Sequence, residues 1–134
     1  MNNNEEDLKK VKNVYYLYIA GPITLYITSM IGYMTALRQR NKFENSIIVN
    51  NHYSYQFKIM NINMILNLII LLTALAYTFN IISEIDFSSL DIESFTVKLT
   101  DVFQFYLLGS ILVNVLLFAQ SLKGIYKINN NTYV

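Results

Sequence analysis

His52 is the only histidine in the chain, and Gln56 follows it at the spacing that brings two side chains onto one face of a helix. Within His52-Tyr53-Ser54-Tyr55-Gln56-Phe57-Lys58 the pair offers an imidazole that titrates near neutrality and an amide that both donates and accepts. An interfacial polar pair of this kind suits a headgroup, an ion or a partner at a membrane surface. It equally suits side chains that satisfy local backbone and water behind a capping Asn50 or Asn51. Hydrolysis would have to borrow the same histidine, with Ser46 or Ser54 as nucleophile and Glu44 as the acid. No nucleophile elbow accompanies them. With no cysteine, thiolate catalysis and thiolate metal sites are excluded, and one histidine leaves no cluster for zinc or iron. No glycine-rich phosphate loop occurs. A formal net charge of +1 excludes a chain that holds nucleic acid by bulk charge. The residues therefore predict no catalytic, cofactor or metal site.

The elements that would position this pair are read from where the charges fall. Ten basic and nine acidic residues lie in four clusters, separated by uncharged runs at 14–37, 59–83 and 102–122. At about 1.5 Å of rise per residue each run reaches roughly 30 Å or more, enough to cross a hydrocarbon core. The sequence thus predicts an all-α integral membrane protein with three transmembrane helices in up-down-up order. The whole chain, 1–134, reads as a single membrane domain with a polar N-terminal tail (1–13) and a C-terminal tail (123–134). Between the second and third runs, residues 84–101 carry five acids, Glu84, Asp86, Asp91, Glu93 and Asp101, against Lys98 alone. A short interfacial segment is expected there. Lys9, Lys10 and Lys12 ahead of the first run would also suit a cleaved signal peptide. The run is longer than a signal's apolar core, however, and Arg38, Arg40 and Lys42 close it like a stop. Gly21-Pro22 predicts a kink inside it.

Two sets of residues are expected to join the helices. Ala20, Thr24, Thr28, Gly32 and Ala36 recur every four residues, a small-residue ridge along which a second membrane helix can approach closely. Asn67 lies eight residues after Ile59, Asn114 eight before Leu122 and Ser29 eight before Leu37. In antiparallel spans these sit at one depth, about 12 Å from a common boundary. An interhelical hydrogen-bonded layer joining Asn67 to Asn114, with Ser29 or Thr28 near, is the expectation.

The order of several short pieces resembles a known family. Val14-Tyr15-Tyr16-Leu17-Tyr18 leads to Ile31-Gly32-Tyr33-Met34-Thr35-Ala36. A basic loop, the stretch Asn51 to Lys58, and finally Leu122-Lys123-Gly124-Ile125-Tyr126-Lys127 follow. This is similar to a family of small bacterial three-helix membrane proteins of unknown function, which also includes magnetosome-membrane proteins. Gly32, His52, Tyr53, Gln56 and Gly124 match its pattern. Lys58 stands where the family usually has Arg, and the Thr-Phe-Trp run that commonly follows is absent. The resemblance implies a fold and a membrane and no biochemical activity.

The expected function is a non-enzymatic membrane protein whose partners are the lipid bilayer and either further copies of itself or a larger membrane complex, with no nucleic acid. A small transporter or channel component and a holin-like pore former are the alternatives. Abundant Ile, Asn, Lys and Tyr point to an AT-rich coding sequence, and so to a bacterial or organellar inner membrane. With three spans, four basic residues fall on the N-terminal side and six on the other. The positive-inside rule then favours N-out, C-in.

Overall fold

The computed structural model describes residues 3–22, 24, 27–42, 45–84, 91–130 and 132–134. Four helices account for the regular structure of these residues: α1 (Asn3–Ala20), α2 (Ile27–Gln39), α3 (Ile47–Ser83) and α4 (Ile92–Asn129). The described residues are all-α, as expected, and form four helices, two of them long and apolar enough to cross a membrane, where three membrane helices were expected.

The difference falls on the first uncharged run, which is shared between α1 and α2. Pro22 lacks an N–H and disfavours helical geometry at Gly21, so α1 stops there. The Gly21 amide turns back to the Tyr18 carbonyl at 3.2 Å, and the Thr24 amide to those of Ala20 and Gly21 at 3.2 and 3.1 Å. A side chain on Gly21 would collide with Ser29 Oγ, which is how closely the turn and α2 approach.

The N-terminal tail is also corrected. Helix begins at Asn3, not at Val14. Glu5 and Glu6 lie in the first turn, where acids complement the helix dipole. Lys10 Nζ reaches Glu6 Oε1 at 3.0 Å and Asp7 Oδ1 at 3.4 Å. These exposed pairs are screened by solvent and add little. Tertiary packing of Val11, Val14, Tyr15 and Tyr18 on one face stabilises α1 more.

Ser46 caps α3, its Oγ accepting from the Val49 amide at 3.3 Å, so neither Asn50 nor Asn51 does so. Asp91 caps α4, its Oδ1 accepting from the Glu93 amide at 3.1 Å. Of the expected interfacial segment, residues 85–90 lie outside the described residues, and from Ile92 onward the chain is already α4. α3 and α4, at 37 and 38 residues, are each long and apolar enough to cross a membrane.

The chain divides into two compact units, Met1–Asn63 with Asn114–Val134, and Met64–Val113. The first unit holds α1, α2, the start of α3 and the end of α4 around a core that includes Val11, Val14, Tyr15, Tyr18, Val49, Tyr53, Met60, Leu117 and Ile128. The second holds the remaining parts of α3 and α4, with a small core of Ala74, Ile81 and Val102 and Phe95 against it. Inside the first unit Lys12 Nζ donates to Asn129 Oδ1 at 2.8 Å. That bond joins residues of the two tails that the sequence reading places on opposite sides of a bilayer.

Candidate functional site

The sequence-predicted pair lies at the centre of the first unit. His52 and Gln56 share a face of α3, and both are fully buried instead of lining a surface. The residues that hold them come from α1 and the chain's end. Tyr15 Oη lies 3.2 Å from His52 Nδ1, with the two rings edge to face. His52 Nε2 lies 3.0 Å from the Thr132 carbonyl oxygen. A carbonyl only accepts, so Nε2 carries the proton and Nδ1 accepts from the Tyr15 hydroxyl. The imidazole is thus held neutral in one tautomer. His52 lies seven residues before the uncharged run at Ile59, and burial pushes its pKa down, partly offset by the Thr132 bond.

Gln56 crosses to α1 in the same way. Its Nε2 donates to the Val11 carbonyl at 2.7 Å, and Tyr18 Oη donates to the Gln56 backbone carbonyl at 3.2 Å. Two glycines make room for the tyrosines. A Cβ on Gly32 would sit 2.8 Å from Tyr18 Cε1, and one on Gly124 would overlap the Tyr15 ring. Val134 N donates to Asn51 Oδ1 at 2.9 Å, which fastens residues 132–134 against the start of α3 beside His52. Gln56 Oε1, Ser29 Oγ and Ser121 Oγ are buried with no hydrogen-bond partner among the described residues.

This arrangement engages both ring nitrogens of the histidine. Ser54 is exposed and Ser46 serves as a cap; among the described residues the hydrogen-bond partners of His52 are Tyr15 and Thr132, and Glu44 lies outside those residues. Among the described residues no group of three or more His, Cys, Asp or Glu could hold a metal ion.

The small-residue ridge is divided by the turn. Ala20 ends α1 and Thr24 lies in the turn, while Thr28, Gly32 and Ala36 lie on α2. Thr28 Oγ1 donates to the Leu17 carbonyl at 2.9 Å and shares a hydrogen bond with Thr24 Oγ1 at 2.7 Å. The ridge thus meets α1 of the same chain. Ser29 is buried beside Gly21. Asn67 and Asn114 are each half-buried, the first in the second unit and the second in the first.

Sequence reasoning missed Tyr15, Tyr18 and Val11 as the partners of His52 and Gln56. Their signal was present: Val11, Val14, Tyr15 and Tyr18 follow an i, i+3, i+4, i+7 pattern. A boundary drawn at the last lysine cut through it.

Comparison with protein-family models, curated proteins and solved structures returns no match.

Proposed function

We propose that the chain is a small integral membrane protein in which residues 59–83 of α3 and 102–122 of α4 cross the bilayer. Its role is non-enzymatic: it packs with further copies of itself or within a larger membrane complex. The observation that carries this reading is the surface of the second unit. Its two helices expose Leu68, Leu72, Leu75, Phe105, Leu108 and Leu112, each half or more accessible. In the most apolar 18 residues of α3 and α4, only 11% and 17% respectively are buried inside the chain. The core helix of a soluble protein is mostly buried, and water tolerates no apolar surface of this extent. Hydrocarbon does, and the backbone of both helices satisfies itself there. The resemblance to the small bacterial three-helix family is kept as part of this proposal. Four of its five shared residues, Gly32, His52, Gln56 and Gly124, lie against Tyr18, Tyr15 or Val11 in the first unit.

Two measurements test the reading. After alkaline carbonate extraction the chain should stay with floated membranes, and release into the supernatant would overturn the membrane assignment. Purified from its own membranes in a mild detergent, it should migrate as an oligomer or with other membrane proteins. A lone monomer would overturn the packing role.

A further inference from the structure

We infer that α1 and α2 form a re-entrant hairpin. On this view they enter the bilayer from the side that holds the 38–58 loop and the C-terminal tail, turn within it, and present the outer face of α2 to lipid acyl chains. The inference rests on the membrane reading above and goes beyond it, because nothing in two crossing helices requires a third inserted element.

Length comes first. The uncharged part of α1, residues 14–20, is seven residues long and α2 is 13. At the helical rise these span about 10 and 20 Å, so neither crosses a core of about 30 Å alone. Direction comes second. Arg40 stacks its guanidinium on the Phe57 ring at 3.8 Å, Tyr33 stacks on the same ring at 5.3 Å, and Tyr33 Oη donates to Asn61 Oδ1 at 3.2 Å. Going back along α2 from Arg40 to Tyr33 therefore matches going forward along α3 from Phe57 to Asn61. The turn at Gly21-Pro22 thus points along α3 into its uncharged run, which begins at Ile59.

The third observation is the turn itself. Irregular backbone in hydrocarbon must have its polar groups satisfied by the protein. Among the described residues, the amides of Gly21, Thr24, Ile27 and Thr28 all find acceptors within the turn. Pro22 has no amide to satisfy. Thr28 Oγ1 donates to the Leu17 carbonyl, and the Thr24 hydroxyl, with one hydrogen to give, lies within hydrogen-bond reach of the Ala20 and Gly21 carbonyls at 3.2 and 3.3 Å. The threonines close carbonyls that a loop on a soluble protein would leave to water.

Finally, the outer face of α2 is apolar and its base is basic. Ile27, Met30, Ile31 and Met34 are 65, 47, 54 and 43% exposed. Arg38 is also exposed, and Arg40 and Lys42 follow at the open end, where Lys42 and Lys10 of α1 line one cavity. An apolar tip with a cationic base complements acyl chains beneath anionic headgroups. The hairpin also changes the charge balance. Three basic residues of α1, four of the 38–58 loop and two at the end of α4 come to one side, leaving Lys98 alone with the acids on the other. By the positive-inside rule that side is cytoplasmic, so both tails lie inside.

The native chain contains no cysteine, so single replacements report cleanly. Glu5→Cys, Ser46→Cys, Met30→Cys and Ile31→Cys proteins in sealed vesicles of defined sidedness are treated with a membrane-impermeant maleimide. Glu5→Cys and Ser46→Cys should label from the same side. Met30→Cys and Ile31→Cys should label at least tenfold more slowly from either side, and a fluorophore on them should be quenched by lipids brominated mid-chain. Labelling of Glu5→Cys and Ser46→Cys from opposite sides would show a spanning first helix and overturn the hairpin. Fast aqueous labelling of both α2 positions, or disulfide formation between copies without quenching, would replace lipid by water or by a second chain. If carbonate extraction releases the wild-type chain, the membrane reading itself fails. If the chain is retained while these labels fail, only the hairpin falls.

Discussion

Replacing Gly124 by alanine puts a methyl group into the ring of Tyr15, and Tyr15 has no room to withdraw. It is completely buried, with its hydroxyl bound to His52 Nδ1. Overpacking of a filled core costs about 1–3 kcal/mol. If the ring tilts away, the buried His52 nitrogen loses its donor, at a further cost of about 1–3 kcal/mol. Against this, alanine is favoured over glycine inside a helix by about 1 kcal/mol. The balance is a loss of about 3 kcal/mol, roughly a hundredfold in the folding constant. Gly109→Ala is the matched control on the same helix. Its Cβ would meet only the side chain of Ile70, at 3.1 Å, which can rotate away. The helix-propensity gain should dominate there, leaving that variant within about 1 kcal/mol of wild type. The assay is denaturant unfolding in mixed micelles followed by far-UV circular dichroism, since the chain has no tryptophan. In a Tyr15→Ala background the Gly124→Ala penalty should largely vanish, because the colliding ring is gone. Equal stability of Gly124→Ala and Gly109→Ala would refute the close approach of α4 to Tyr15.

Three further outcomes follow from the same contacts. His52 has a folded-state pKa below its unfolded value, so its contribution to stability is complete above about pH 6.5 and shrinks as the unfolded state protonates below it. The unfolding midpoint should fall between pH 7 and pH 5, and His52→Gln should flatten that slope; an unchanged slope would assign the dependence to other groups. Thr28→Val, nearly isosteric, removes the bonds to Leu17 and Thr24 and should lower stability by about 1–2 kcal/mol in the same assay. Ser121→Ala removes a buried hydroxyl without a partner among the described residues, and should be neutral or stabilising by up to about 1 kcal/mol.

Helical class and the two long apolar helices were legible because charge exclusion over 20 or more residues is a one-dimensional signal. The first run has the same signal and folds otherwise. Its length satisfied the spanning rule, and Gly21-Pro22 read as a kink, since a membrane helix tolerates proline. What separates a kink from a reversal is tertiary: Gly21 admitting Ser29, Gly32 admitting Tyr18, and threonine hydroxyls closing the turn's carbonyls. His52 and Gln56 were found by residue type and spacing, yet their burial was not, because spacing fixes a shared face and leaves open what that face meets. The partner face is split by a boundary placed after Asn13, which assigns the first part of α1 to a polar tail and residues 14–20 to a membrane span.

Two crossings place Ser94, at the start of α4, and Asn130, after its end, on opposite sides of the membrane, and their sidedness is the most direct test. Ser94→Cys and Asn130→Cys, both at exposed positions, are probed in sealed inside-out and right-side-out vesicles with an impermeant maleimide. Ser94→Cys should label only from outside and Asn130→Cys only from the cytoplasmic side. Labelling of both from one side of intact vesicles would contradict the two crossings.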